Sequence, residues 1–283
     1  MITHNLNRML GLLPVAVVLM AASCTSGSRS AYGDLHLDSL VVDRIEHLFG
    51  DPAKPAASLT ARLTYVKQAS VEGMADAINR QIIDLCIGPD YLEMPIDSAL
   101  TCYVNGLMND YHEDIEPLYK DYGDEDQEFL DAAFTFEYDI HGEVTYCRNN
   151  LLVYSYLGRE YTGGAHGMYY TYYTNIDLRT LQAVSLESLL KDDTTEQLTD
   201  LLWDQLMAQT GTHSRDEVEE LGYCCIGELE PTENFYLGPD GITFHYNVYE
   251  ITPYIMGAAS ITVPWPMLVP LLKDGADIVE SVR

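Results

Sequence analysis

The densest group of residues able to do chemistry in this chain is the run Tyr161-Thr162-Gly163-Gly164-Ala165-His166-Gly167. Its glycines permit a tight backbone path with positive φ, and an imidazole held in such a bend can titrate near neutral pH or meet a ligand. A second run, Asn247-Val248-Tyr249-Glu250-Ile251-Thr252-Pro253-Tyr254, alternates Tyr and Glu on a strand entering a Pro turn. Bringing Glu250 to His166 would make an acid/base pair of the kind hydrolases use. The same residues suit a buried Tyr/Glu hydrogen-bond network and a glycine bend whose imidazole bonds to backbone, without catalysis. The candidate ligand-binding set is therefore Gly163, Gly164, His166, Gly167, Tyr249, Glu250 and Tyr254, with no catalytic residue assigned.

Other chemistry finds little support. The sequence has no G-x-S-x-G, H-E-x-x-H or P-loop. Its six cysteines show neither C-x-x-C nor Cys/His ligand spacing, so no metal and no cofactor is expected. Cys86, Cys102 and Cys147 sit among apolar neighbours and read as buried small hydrophobes; adjacent Cys224-Cys225 read as two reduced thiols at a strand or turn edge. The acidic stretch Asp121 to Glu128 lacks the Gly and terminal Glu of an EF-hand and reads as a solvated loop.

The amino terminus reads as an export leader. Arg8 precedes an apolar run from Met9 to Ala22, too short to span a bilayer as a mature helix, which leads through Ala21-Ala22-Ser23 into Cys24. Residues 1–23 are the expected signal peptide, Cys24 the expected lipidation site and 24–33 the expected tether. The only expected membrane contact is the lipid anchor, and the expected location is a bacterial cell envelope. Formal net charge is −29, becoming about −30 once Arg8 is removed. A chain this acidic has no basic stripe to displace counterions from phosphates, which excludes nucleic acid as a partner. It attracts cationic partners instead, and faster at low salt.

The elements that must position these residues follow from periodicity. Leu37 to Phe49 and Ser58 to Ala69 read as strands, Val71 to Cys86 and the stripe from Leu100 to Ile115 as helices, with Pro117 bending or ending the second. From Phe129 to Leu178 the pattern becomes Tyr-rich and strand-like, an antiparallel meander with His141-Gly142 as a hairpin turn. Helices follow at 186–190, at 194–209 and after the Ser214/Glu217 capping box. A hairpin around Gly238-Pro239-Asp240-Gly241, a strand at 261–263 and a helix at 266–272 complete the chain. The fold class expected is α+β, two units with antiparallel sheets each packed with helices, divided as 34–148 and 149–283.

The same runs carry a resemblance. Y-T-G-G-A-H-G, then Asn175 and Asp177 before a hairpin turn, Ser185-Leu186 opening a helix, and F-Y-L-G-P-D-G-I-T-F-H-Y-N-V-Y-E-I-T-P-Y resemble a domain of uncharacterised function. It occurs in the extracellular part of lysozyme-responsive anti-sigma-V factors and before the catalytic domain of PdaC-type peptidoglycan deacetylases. The similarity runs from about Leu152 to Leu272, and the preceding half resembles the companion domain found upstream in both. Leu181 departs from it, standing where the family has Gly in the hairpin after Thr180. The resemblance implies a wall-binding or sensing role, the ligand being a basic lysozyme-like protein or a peptidoglycan fragment. It does not carry over deacetylase or sigma-binding activity, whose domains this sequence lacks. The rival readings are an envelope hydrolase using His166 and Glu250, and a structural subunit of an envelope complex.

Overall fold

The structure, a computed structural model, describes residues 34–282 apart from 123–125. Cys24 and the leader therefore lie outside the described residues. The first half builds a sheet with helices on one face. Strand β1 (Leu35–His47) pairs antiparallel with β2 (Ala56–Ala69) through the whole of its length. Helices α1 (Met74–Cys86), α2 (Ile96–Asp121) and α3 (Gln127–Phe134) then return the chain to β3 (Phe136–Arg148), which lies parallel to β2. β4 (Leu151–Tyr161), β5 (Met168–Asp177) and the short β6 (Gln182–Ala183) continue antiparallel, giving six strands in the order β1-β2-β3-β4-β5-β6. The second half adds α4 (Leu186–Leu189), α5 (Thr195–Thr210), α6 (Arg215–Glu220) and α7 (Trp265–Leu268) around three antiparallel strands. These are β7 (Phe235–Leu237), β8 (Gly241–Tyr246) and β9 (Ala259–Pro264). The α+β class with two sheets, each packed with helices, is what the molecule has.

Two cores share β4. Successive side chains of a strand point to opposite faces. Leu152 and Tyr154 accordingly join Leu59, Ile78, Leu100 and Ile140 in the first core, while Leu151 and Val153 join Leu202, Phe235, Phe244 and Trp265 in the second. A division of the chain after Arg148 falls in the Asn149-Asn150 turn of a hairpin whose strands pair from Glu137↔Tyr161 to Arg148↔Leu151. The boundary between the two packed units thus runs through the thickness of the sheet, not across the chain.

Several local expectations change. His141-Gly142 is not a turn but lies mid-strand in β3, opposite Leu157 and Tyr156. Glycine is needed there for packing: a Cβ on Gly142 would run into the Tyr154 hydroxyl and lie 2.8 Å from Leu63. Pro117 does not end α2, which runs on to Asp121, so the missing N–H costs one ladder bond near the C-terminus without stopping the helix. Cys102 is exposed on α2, whereas Cys86 is buried and Cys147 half-buried; all three are free thiols. The acidic stretch is in part the start of α3, whose N-cap carboxylate, Asp126, accepts the Glu128 N–H. Leu181 takes φ 61°, the left-handed conformation that glycine adopts freely and a branched side chain adopts at a cost.

Candidate functional site

The free edge of β5 is where the two sheets are sewn together. β6 pairs only with Ile176 and Asp177, so most of that edge has no strand beside it. Asparagine side chains take the place of one. Asn175 accepts from Leu237 N–H at 2.9 Å and donates to Phe235 C=O at 2.8 Å. Asn234 accepts from Tyr173 N–H and donates to Thr171 C=O. Asn247 accepts from Thr171 N–H at 2.7 Å and donates to the same residue's C=O. A primary amide presents a donor and an acceptor side by side, as a peptide group does, so each one satisfies main-chain groups that would otherwise be buried unpaired. Asp177 closes the row with a two-pronged pairing to Arg179. Burial would raise the Asp177 carboxyl, but the Arg179 guanidinium and neighbouring amides outweigh it and hold the group below its ordinary value.

This seam brings the 247–257 loop to the glycine bend. Gly163 has φ 84°, and a Cβ on it would lie 2.5 Å from the carbonyl oxygen of Ala133 in α3. The Tyr161 hydroxyl, 3.1 Å from Gly164 C=O, pins the turn. His166 follows, exposed, with Nδ1 2.9 Å from Gly167 C=O. A carbonyl only accepts, so Nδ1 carries the proton and Nε2 is left to receive the Tyr249 hydroxyl, 3.4 Å away. The imidazole stacks on Tyr254 with centroids 4.0 Å apart, and Tyr249 and Tyr169 flank Tyr254 at 6.0 and 5.9 Å. Tyr249 is held in its outward position by a left-handed backbone, φ 70°.

His166, Tyr249 and Tyr254 thus meet, around the bend of Gly163, Gly164 and Gly167. Glu250 does not join them. Its carboxylate turns back to accept the Asn247 N–H at 2.9 Å, and among the described residues no ion pair links it to His166. The side chain closes its own turn instead of facing the imidazole, so the expected acid/base pair is not formed.

Several neighbours were not legible in the sequence. Tyr169 belongs to the ring cluster, and Ile255, 93% exposed, projects from the turn Tyr254–Met256 with Met256, Leu221 and Ile226 exposed nearby in the chain or in space. The signal available was an Ile-Met pair between Pro253 and Gly257, apolar residues in a turn where polar ones are usual. Met256 lies against Gly222, and Cys224 N–H donates to Ile251 C=O, which ties the 222–227 loop to this surface. The Cys224 thiol is pushed up to about 11 by burial, then by Glu219 and Cys225, so it stays protonated and weakly nucleophilic at neutral pH. Glu233 is not a free surface charge; its carboxylate accepts the Leu186 N–H that opens α4. Among the described residues no group of His, Cys, Asp or Glu is arranged to hold a metal ion, and no helix is long and apolar enough to cross a membrane.

The class that this architecture defines is a two-core α+β protein. A family described as a protein of unknown function (DUF3298) matches residues 187–266, and one described as deacetylase PdaC matches residues 56–169. A solved DUF3298 member from Bacteroides fragilis NCTC 9343 is 38% identical, with 88% of this chain and 98% of that one covered and a TM-score of 0.84. The chain belongs to the DUF3298 family. A DUF3298 protein of Pseudomonas aeruginosa PAO1 shares the fold at 16% identity, TM-score 0.58, over 86% of this chain and 96% of its own. No curated protein matches.

Proposed function

We propose that this is a lipid-anchored cell-envelope binding protein whose ligand is a cationic protein of lysozyme type, met by the loops around His166, Tyr249 and Tyr254. One observation carries the reading: these rings, brought together from segments 83 residues apart, form a solvent-facing aromatic cluster, with His166 and Tyr249 exposed and Tyr254 half-buried, whose own segments bear no Lys or Arg. Neither 160–178 nor 216–272 contains a Lys or Arg, while the latter carries Glu219, Glu220, Glu228 and Glu250 among its acids. Exposed rings flanked by carboxylates receive ammonium and guanidinium groups through cation–π and ionic attraction together. The Glu250 carboxylate, engaged by the Asn247 N–H and not by His166, favours binding over hydrolysis.

Surface plasmon resonance against a basic lysozyme tests this. Saturable binding is expected, with an association rate that falls clearly from low to physiological salt, where the Debye length is about 8 Å. Dissociation should change much less, because it reports close contacts in the docked complex. Replacing Glu228 and Glu230 by Gln should slow association without unfolding. The stacked rings also suit the apolar face of a sugar, so soluble peptidoglycan fragments form the second arm. Binding of fragments alone would replace the protein ligand with a glycan. The anchor has its own test: Cys24→Ala should release the protein from membranes or leave its leader uncleaved.

A further inference from the structure

The order of the strands places the glycine bend at one particular end of the molecule. β1 pairs His47 with Ala56, β2 pairs Ala57 with Phe136, and β3 pairs Glu137 with Tyr161, so the β1–β2 turn, α3 and the bend share the same end of the sheet. β1 enters at the opposite end, about 43 Å away for 13 residues at ~3.3 Å each. The bend is therefore carried on the far side of the sheet from the point at which the chain enters it.

A second aromatic group stands at that far end, built by the first unit. Phe49, Leu118, Tyr122 and Phe129 are 40%, 45%, 47% and 55% exposed. Phe49 and Tyr122 are joined through the buried rings of Tyr119 and Phe134, the series Phe49, Tyr119, Phe134, Tyr122 having centroids 5.9, 5.9 and 6.2 Å apart. This surface already holds cations on its rings: Lys120 Nζ sits 4.8 Å from the Phe49 centroid and Lys54 Nζ 5.0 Å from that of Tyr119. Lys120 is also the one Lys or Arg between Tyr111 and Phe136, amid exposed Asp121, Asp126, Glu128 and Asp131. The helix that carries Phe129 touches the bend directly, through Ala133 against Gly163 and Ala132 C=O 3.4 Å from the Tyr161 hydroxyl.

We infer that the docking face continues from the His166 bend across α3 onto this first-unit patch, where Phe129 and Tyr122 receive cationic side chains of the same basic partner protein. The inference rests on the binding reading above and extends it to a second contact. Charge decides the occupant: a second copy of a chain with net charge −29 is repelled, whereas a basic surface is drawn to both patches at once. The chain's own lysines on the neighbouring rings of Phe49 and Tyr119 show the cation-on-ring geometry that the partner's side chains would take on Tyr122 and Phe129.

The test uses the purified protein and a basic lysozyme as the probe, at low salt. Wild type, Tyr254→Ala and the double variant Tyr122→Ala/Phe129→Ala are compared, each checked for an unchanged melting temperature. Because Tyr122 and Phe129 are exposed, the double variant should fold normally and bind about tenfold or more weakly. Affinity equal to wild type in the double variant, with binding lost in Tyr254→Ala, overturns the inference and leaves the binding reading standing. No binding by wild type overturns both. If the double variant fails to fold, Phe129→Ser alone decides by the same comparison.

Discussion

Asn247 and Tyr249 stand two residues apart and belong to opposite kinds of surface. Asn247 is buried in the seam, with both ends of its amide spent on Thr171, while Tyr249 is 47% exposed with its ring turned outward. The seam (Asn175, Asn234 and Asn247) pairs the oxygen and nitrogen of each amide with main-chain groups, whereas the ring cluster keeps His166 and Tyr249 exposed and Tyr254 and Tyr169 half-buried. The run from Asn247 to Tyr254 contributes to both regions. A single motif therefore holds residues that build the joint and residues available to a ligand, and residue type alone does not separate them. Burial and hydrogen-bond accounting do.

The sharpest way to break that comparison is at Asn175. Asn175→Ala strands Phe235 C=O and Leu237 N–H inside the joint, which should cost about 2–4 kcal/mol in chemical denaturation. Ligand affinity of the molecules that remain folded should be unchanged. A stability loss below that of an ordinary surface substitution would mean the asparagine row is not what holds the sheets together.

The glycine bend should respond next. Gly163→Ala drives a Cβ into Ala133 C=O at a positive φ and should cost about 1–3 kcal/mol, whereas Gly164→Ala, with φ 96° and open space around it, should cost less. Thermal unfolding of the pair reads the difference; equal losses would leave backbone strain, not the contact with α3, as the explanation.

Acid should weaken the seam. His245 lies buried beside Ser260 and Tyr173, and burial holds its pKa below the ordinary 6.5, with Asn247 partly offsetting this. Its folded form binds a proton less readily than its unfolded form. The contribution is therefore fully present above about 6.5 and is lost as pH falls from there towards the folded value. His245→Asn should flatten the fall in stability between pH 7 and 5; an unchanged slope would assign it to other groups.

Smallest in stability is the exposed cluster. Tyr249→Ala and the half-buried Tyr254→Ala should each shift stability by about 1 kcal/mol or less, since neither ring belongs to either core. Any large destabilisation would make them structural, and the contrast with the asparagines would collapse.

Much of this molecule was legible in advance. Periodicity located α1, α2, α5 and most strands, because a half-buried element must repeat its apolar residues at its own period. Glycine was misread where it served packing: Gly142 looked like a turn, and only the nearness of Tyr154 and Leu63 explains it. The site was legible as two runs but not as a set. His166 and Tyr254 were named from the sequence, Tyr169 and Ile255 were not, and Glu250 was placed with the wrong partner.

What the sequence determined by itself was local: the pattern of elements, the acidic charge and the glycine-rich bend. Each depends on residues close together in the chain or on composition alone. Tertiary structure decided which face of β4 feeds which core, that asparagines bridge the edge of β5, and that Glu250 turns from His166 to its own backbone. Those outcomes depend on register and on long-range pairing, where a shift of one residue moves every side chain to the other face. No short stretch of sequence contains that information, because the groups that compete for Glu250 and Asn247 arrive from strands far apart in the chain.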